Sequence, residues 1–454
     1  MTVVNRQIFR QNDIRGIFGK DLRTEDAELI GRAFGTYIKR RGKTEAIVGK
    51  DNRKSSPDLF GSLVKGILNT GVNVKDIGVV VTPIFYYSTY LYGIDSGIMI
   101  TASHNPAEYN GFKIQFDGTT LYGEELQNIR KIIENGDFEE GQGKLTVQLP
   151  GDDYIKMIKE KINLKGRRLK IVVDCGNGTA GLFAPKLFEE LGCEVIPLYC
   201  DSNPDFPNHF PDPTRPENLK DLIGAVKKHK ADLGASFDGD GDRLGVVDNQ
   251  GNIIWGDMMM VLFWREILPR YPGAPAIVEV KCSEVLVEEI KKLGGKPLFY
   301  KTGHSLIKAK MKELNAVFTG EMSGHMFFAD EYYGFDDAFY ACARLLRILA
   351  ESGKTLSDLL SDVPKTYNTP EIRIACPEEK KAYYVNKAKD YFKTLGNSII
   401  DVDGVRVLFE DGWGLVRASN TGPELIVRCE AKTAEGLEQI KEKISESIYP
   451  LKIS

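Results

Sequence analysis

The chain is poor in cysteine, in long apolar runs and in any excess of charge of one sign. Its 454 residues include seven Cys, at positions 175, 193, 200, 282, 342, 376 and 429. The number is odd, no two form a C-x-x-C pair, and most sit beside apolar residues as small core fillers. That excludes a disulfide framework and makes a reducing cytoplasm the expected compartment. No apolar run approaches the ~18 residues of a membrane span, so no membrane partner is expected. Met1–Arg10 lacks the apolar core of a secretory leader. Charge of one sign is also lacking: 60 Lys and Arg face 64 Asp and Glu, a net charge of -4. A general nucleic-acid binder would be clearly basic, so none is expected as a partner. There is no G-x-x-x-x-G-K-[ST], which leaves a P-loop kinase unsupported. Low-complexity linkers are absent too, so the domains are expected to pack closely.

Glycine is plentiful. Its 45 residues are about a tenth of the chain, above the ~7% average, and the excess lies in tight loops between strands. At roughly 100–200 residues per domain, the length fits three or four domains. A β-α-β unit recurs three times. The first copy runs from Ala46-Ile47-Val48-Gly49 through the polar loop Lys50-Asp51-Asn52-Arg53. A helix follows with Leu59, Leu63, Ile67 and Leu68 on one face, closed by Gly71 as its C′ residue. The second has Lys170–Val173, the loop Asp174–Gly178 and a helix ending at Gly192. The third has Ala276–Val280, the loop Lys281-Cys282-Ser283 and a helix ending at Gly294-Gly295. This grammar predicts largely parallel sheets covered by helices.

Each copy later runs a strand into an unusual loop. Gly97–Ile100 leads to Thr101-Ala102-Ser103-His104-Asn105-Pro106, and Leu233–Phe237 leads to Asp238-Gly239-Asp240-Gly241-Asp242-Arg243. Ala316–Phe318 leads to Gly320-Glu321-Met322-Ser323-Gly324-His325. Ligands of open α/β sheets gather at the carboxyl ends of strands, so the three loops are expected to face one cleft.

The aspartate loop is the strongest signal. In an extended loop alternate side chains share one face, and three carboxylates brought together repel without a cation. Hard oxygen ligands suit Mg²⁺ or Ca²⁺, while Arg243 sits where an EF-hand needs Gly. A solvated acidic turn is the plainer alternative. Ser103 and His104 are common turn formers whose adjacent side chains usually point apart, and Lys113 alone reads as a solvated lysine. Glu321, Ser323 and His325 alternate in a pattern that suits sugar hydroxyls or a polar hairpin tip. Arg417, Ser419, Asn420, Thr421 and Gly422 form a donor-rich turn with Arg428 beyond, fit for a phosphate or simply a surface turn. His304 reads as a helix cap. From about Val363 the pattern changes to a small α+β domain. It has a strand at Ile372 and Ile374, a helix near Glu378–Leu395, a hairpin about Asp403-Gly404 and a last helix over Thr433–Ile448.

Together these four loops resemble, in order and over essentially the whole chain, the α-D-phosphohexomutase family. The sugar loop and Tyr333-Gly334-Phe335-Asp336-Asp337 are similar to its bacterial phosphomannomutase/phosphoglucomutase branch. The resemblance implies an α/β fold of three related mixed-sheet α/β domains followed by a smaller α+β (TBP-like) C-terminal domain, arranged around a central cleft. The expected parts are a phosphoserine domain (1–148), a metal-binding domain (149–252), a sugar-binding domain (253–365) and a phosphate-binding domain (366–454). The implied enzyme is an intramolecular phosphotransferase interconverting hexose 1-phosphate and hexose 6-phosphate, of mannose or glucose.

By the same resemblance, Ser103 holds the transferable phosphate, and Asp238, Asp240 and Asp242 hold Mg²⁺ with a phosphoserine oxygen. Lys113 matches an acid/base group with His104, His304 and His325 close by, and Arg15, Arg243 and Lys281 match active-site cations. Glu321 and Ser323 match contacts to the 3- and 4-hydroxyls. Arg417, Ser419, Asn420, Thr421 and Arg428 match the phosphate loop. A hexose 1,6-bisphosphate is the implied intermediate and activator, a phosphosugar the partner, and a monomer or small homo-oligomer the working state. Asn12 and Gly422 depart from the family, which often has Tyr and Thr there. A phosphoglucosamine mutase and an aspartyl-phosphate sugar phosphatase using Asp238 stand as alternatives.

Overall fold

The computed structural model describes residues 4–419 and 422–451. The chain forms two compact units, Met1–Phe263 with Ser323–Leu360, and Trp264–Met322 with Ser361–Ser454.

The first unit holds two sheets. One contains β1 (Ile14–Ile17), β2 (Glu45–Lys50), β3 (Asn73–Val79), β4 (Gly97–Ile100), β5 (Tyr109–Phe116), β6 (Thr119–Thr120) and β7 (Leu145–Val147). Its order is β1-β5-β4-β2-β3-β7, with β6 on β5. The other contains β8 (Lys170–Asp174), β9 (Glu194–Leu198), β10 (Leu233–Phe237), β11 (Leu244–Asp248) and β12 (Ile253–Ile254), in the order β12-β11-β10-β8-β9. Four neighbouring strands of the first sheet, β4-β2-β3-β7, and three of the second, β10-β8-β9, run parallel, as the β-α-β pattern predicts. The strand leaving each chemistry-bearing loop then turns back antiparallel, β4 to β5 and β10 to β11, so the sheets are mixed rather than largely parallel. This reversal matters for the site, because each loop becomes a connection between adjacent antiparallel strands. Residues on both sides of it are held by ladder hydrogen bonds.

Local details differ from the sequence expectation. The helix Ser56–Leu68 is capped at Asn69, and Gly71, at φ 88°, lies two residues farther on. In the second copy Pro185 starts a fresh helix, Ala184–Glu190, after a 3₁₀ turn at Thr179–Leu182. Every residue of β4 and β10 is buried, so both faces are covered, which accounts for their largely apolar sequences.

In the second unit β13 (Pro275–Glu279) runs parallel to β14 (Lys296–Tyr300) and to β15 (Phe318–Gly320). Ala316 precedes β15 rather than opening it, because its N–H still serves the exit of helix His304–Leu314 by bonding Met311. The C-terminal part is an antiparallel sheet in which Glu424–Ala431 pairs with Gly412–Ala418, Ile372–Ala375 and Tyr367–Asn368. The hairpin at Asp403-Gly404 pairs Ile399 with Val407 as its turn signal predicts. Val405, Val407, Val416, Leu425, Val427 and Cys429 pack against Phe392, Ile440 and Ile444 of the helices Glu378–Thr394 and Ala434–Ser447. The opposite face is not solvated. Its Arg406 is fully buried over the Trp413 ring and donates to the carbonyls of Val280 (2.8 Å) and Cys282 (2.7 Å). No helix among the described residues is long and apolar enough to cross a membrane.

Candidate active site

The serine loop leaves β4 and is tied down at once. Ser103 N–H donates to Thr101 Oγ1 (2.9 Å), and Ser103 itself adopts a left-handed φ of 52°. That conformation brings Ser103 Oγ within 3.1 Å of His104 Nδ1, against the expectation that adjacent side chains diverge. A left-handed residue costs of order 1 kcal/mol and persists only where neighbours fix it. Here the fixing group is Arg53, which sequence reasoning placed only in a polar loop. Its buried guanidinium donates to the carbonyls of Ser103 (2.8 Å), Asn105 (2.6 Å), Pro106 (2.6 Å) and Tyr109 (3.1 Å). Arg15, on β1, donates to Asn105 Oδ1 (2.6 Å) and pairs with Asp13.

The aspartate loop is a tight turn rather than the extended stretch expected. Asp238 N–H bonds Arg243 O, and Gly241, at φ 72°, donates to Asp238 O. The glycines are required by their neighbours. A Cβ on Gly239 would lie 2.4 Å from the carbonyl oxygen of Ser103, and one on Gly241 would lie 2.7 Å from Phe339. The turn therefore sits directly against the serine loop, and Ser103 Oγ donates to Asp238 Oδ2 at 2.8 Å. Asp238 Oδ1 accepts the N–H groups of Asp242 and Arg243. Asp240 is met by the N-terminus of helix Thr82–Tyr92, where Thr82 donates its N–H to Asp240 O and its hydroxyl to Asp240 Oδ2 (2.7 Å).

Lys113 is not the solvated lysine its local sequence suggests. It is buried on β5, with Nζ 2.7 Å from Asp240 Oδ2 and 2.5 Å from Asp242 Oδ2. Burial works against its charge, but the two aspartates overcome that and raise it well above the usual lysine range. Burial and the neighbouring carboxylates push Asp238 well up. Burial would raise Asp240 as well, yet Lys113 and its hydrogen bonds hold it below the usual carboxylate range. His104 is pushed well below the usual imidazole range, first by burial and then by Arg243 and Arg15, so it is neutral near pH 7. His325 lies between Asp336 Oδ2 (3.1 Å from Nδ1) and Arg243, whose Nε donates to His325 Nε2 (3.0 Å). Because Nε2 accepts, the ring proton belongs on Nδ1, toward Asp336. Ser323 lies in the same unit, half-buried beside Gly324.

The aspartate turn fits a divalent cation. One oxygen from each of Asp238, Asp240 and Asp242 lies within 4.8 Å of the others, and all three residues are buried. Asp240 Oδ1 and Asp242 Oδ1 are buried with no hydrogen-bond partner among the described residues. Buried carboxylate oxygens without donors are costly unless a cation takes them.

The second unit carries the remaining candidates. Lys281 Nζ lies 3.0 Å from Glu371, and Glu279 and Glu371 raise it against the opposing effect of burial. Arg428 Nη1 donates to the Lys281 carbonyl. Glu321 Oε1 accepts Gly303 N–H (2.7 Å). His304 is the first residue of helix His304–Leu314, and Gly303 occupies the N-cap that His304 was expected to fill. Arg417 Nε donates to Asp403 Oδ2 (3.0 Å), which also accepts Thr302 N–H (3.1 Å). Ser419 Oγ accepts Gly422 N–H (3.2 Å), and Lys381 donates to the carbonyls of Ser419 and Gly422. Asn420 and Thr421 lie outside the described residues. Glu279, Asp403 and Lys381 were missed from sequence. Each works through a backbone group or a cation distant in the chain, and no local pattern marks such a role.

Comparison with known proteins points to one family over most of the chain. The descriptions of phosphoglucomutase/phosphomannomutase α/β/α domains I, II and III match residues 6–140, 152–251 and 255–367, and that of the C-terminal domain matches 371–447. A phosphomannomutase/phosphoglucomutase of Pseudomonas aeruginosa is 48% identical over 434 residues, 96% of this chain and 94% of that one. A phosphoglucomutase of Neisseria meningitidis is 45% identical, covering 97% and 96%. The crystal structure of a phosphoglucomutase/phosphomannomutase family protein from Burkholderia thailandensis superposes with a TM-score of 0.93. It is 43% identical, over 98% of this chain and 97% of that one.

Proposed function

The chain belongs to the phosphoglucomutase/phosphomannomutase family, and from that premise we propose that it interconverts hexose 1-phosphates and hexose 6-phosphates of glucose or mannose. The observation that carries the reading is the contact between Ser103 Oγ and Asp238 Oδ2, 2.8 Å, inside a cluster of three buried aspartates and one buried lysine. A hydroxyl fixed against a cation site is what a phosphoryl carrier requires, because phosphoryl transfer depends mainly on positioning and charge stabilisation.

In the proposed cycle Ser103 gives its phosphoryl group to the free hydroxyl of the sugar phosphate. The resulting 1,6-bisphosphosugar then returns its other phosphate to Ser103. Asp238, Asp240, Asp242 and a phosphoserine oxygen on Ser103 are the residues that would hold Mg²⁺, which supplies neutralisation of the charge on the transferring group. Arg53 keeps the serine backbone in its left-handed turn. Lys113, held as an ammonium, donates a proton to Ser103 Oγ as the phosphoryl group leaves it and recovers that proton when Ser103 attacks in the second half. A base of the site takes the proton of the attacking sugar hydroxyl and returns it to the departing sugar oxygen. His104 touches the serine hydroxyl and stays uncharged, and His325 presents an imidazole oriented by Arg243 and Asp336. Arg15, Arg243 and Lys281 are assigned to the anionic groups of the substrate. His304, Glu321 and Ser323 are assigned to the hexose.

Arg417, Ser419, Asn420, Thr421 and Arg428 are assigned to the phosphate that does not react. The parts are proposed to divide as 1–148, 149–252, 253–365 and 366–454, and the cytoplasm, with no disulfide among the described residues, is the proposed compartment. The test is a coupled assay of glucose 6-phosphate formed from glucose 1-phosphate, run beside mannose 1-phosphate and glucosamine 1-phosphate. Turnover of the first two supports the reading. Turnover of glucosamine 1-phosphate alone, or hydrolysis without isomerisation, contradicts it.

A further inference from the structure

We propose that Cys175 and Cys200 form an oxidisable pair, a reversible disulfide site built next to the aspartate turn. Their Sγ atoms lie 3.4 Å apart although 25 residues separate them in sequence. Cys175 follows β8 and Cys200 follows β9, two adjacent parallel strands, and Cys175 N–H extends their ladder to Leu198 O. Cys200 Sγ also contacts the carbonyls of Val173 (3.3 Å) and Leu198 (3.5 Å), which confine it to this position. An S–S bond of about 2.05 Å requires the sulfurs to approach by about 1.4 Å, a shift that rotation about two side chains provides. Six of the seven thiols are buried, and Cys200 is the half-buried one. Burial also raises the Cys175 thiol well above its usual range, so Cys200 reacts first.

The chemistry balances with a peroxide as oxidant. The Cys200 sulfur takes one oxygen from hydrogen peroxide, becomes a sulfenic acid and releases one water. The Cys175 sulfur attacks the Cys200 sulfur, and hydroxide leaves with the Cys175 proton as a second water. Two thiols are oxidised by two electrons, and one peroxide is reduced to two waters. A thiol such as dithiothreitol reverses it by exchange.

The pair is coupled to the aspartate turn by a short path. The Cys175 carbonyl accepts Gly178 N–H (2.7 Å), and the next residue, Thr179, donates its N–H to Gly239 O (3.0 Å). Gly239 lies between Asp238 and Asp240. A sulfur displacement at Cys175 is therefore passed through one hydrogen-bonded turn to the backbone that sets two of the three carboxylates. Turnover is expected to fall by on the order of tenfold, since a 1 Å misplacement in a catalytic constellation costs up to 10²-fold.

The experiment treats the full chain with hydrogen peroxide, caps remaining thiols with N-ethylmaleimide and maps peptides without reduction. A linked 175–200 peptide is expected, with turnover lowered and then restored by dithiothreitol. The Cys200→Ser variant keeps its basal turnover and loses none to peroxide. Absence of the linked peptide overturns the site. A linked peptide with unchanged turnover, or equal peroxide loss in Cys200→Ser, overturns the coupling to the turn. The peptide map needs no substrate, so it stands even if the isomerase assay fails.

Discussion

The two units handle charge in opposite ways. Around Ser103 the arrangement is locked: two of the three buried aspartates share one lysine, and the turn and the serine loop are fixed by hydrogen bonds to Arg53, Thr82 and each other. In the second unit the cations come with resident carboxylates, Lys281 with Glu371 and Arg417 with Asp403. A locked cluster has no cheap rearrangement, so its residues set the rate. An ion pair whose carboxylate is displaceable by an incoming phosphate sets affinity instead, because both states satisfy the cation. On this account, substitutions in the first unit lower kcat and those in the second move KM.

The comparison breaks most sharply at Ser103. Ser103→Ala removes the carrier hydroxyl, and kcat is expected to fall by at least about 10³-fold, as loss of a nucleophile does. A coupled assay reads it, and wild-type turnover would end the carrier assignment. Asp240→Asn comes next. It removes one charge from the cation site while keeping the Thr82 bond, and kcat is expected to drop by roughly 10²–10³-fold with the circular-dichroism spectrum unchanged. Loss of the folded spectrum would make Asp240 structural. Chelation by EDTA is expected to abolish turnover of the wild type, with Mg²⁺ restoring it.

In the second unit, Arg417→Ala is expected to raise KM about 10–100-fold, the worth of a charge-assisted hydrogen bond of roughly 1.5–3 kcal/mol, with kcat changed far less. Asp403→Asn sharpens the contrast with the smallest effect. It keeps the acceptor for Thr302 N–H but removes the charge that competes for Arg417, so KM is expected to fall by about two- to fivefold, about 0.4–1 kcal/mol. A rise in KM would mean that Asp403 positions Arg417 rather than competing for it.

Much of the fold follows from local pattern. The β-α-β copies, the alternation of Asp and Gly over 238–242 and the hairpin at Asp403-Gly404 all announce themselves through periodicity and turn chemistry. The reversal of β5 and β11 does not, because an apolar strand reads alike in either direction. Lys113 shows the same limit in the site. Its partners, Asp240 and Asp242, lie 127 and 129 residues away, so its own neighbourhood describes a surface lysine. Arg53 acts on carbonyls, which carry no sequence identity. The close approach of Ser103 to His104 depends on one left-handed residue that no propensity assigns to serine.

The central claim is that Ser103 carries the phosphoryl group, and it is measured most directly by incubating the protein with ³²P-labelled hexose 1,6-bisphosphate and mapping the label by mass spectrometry after acid treatment. The account predicts acid-stable phosphate on Ser103 that chases into unlabelled glucose 1-phosphate. Acid-labile label on Asp238, with Ser103 unmodified, would contradict it.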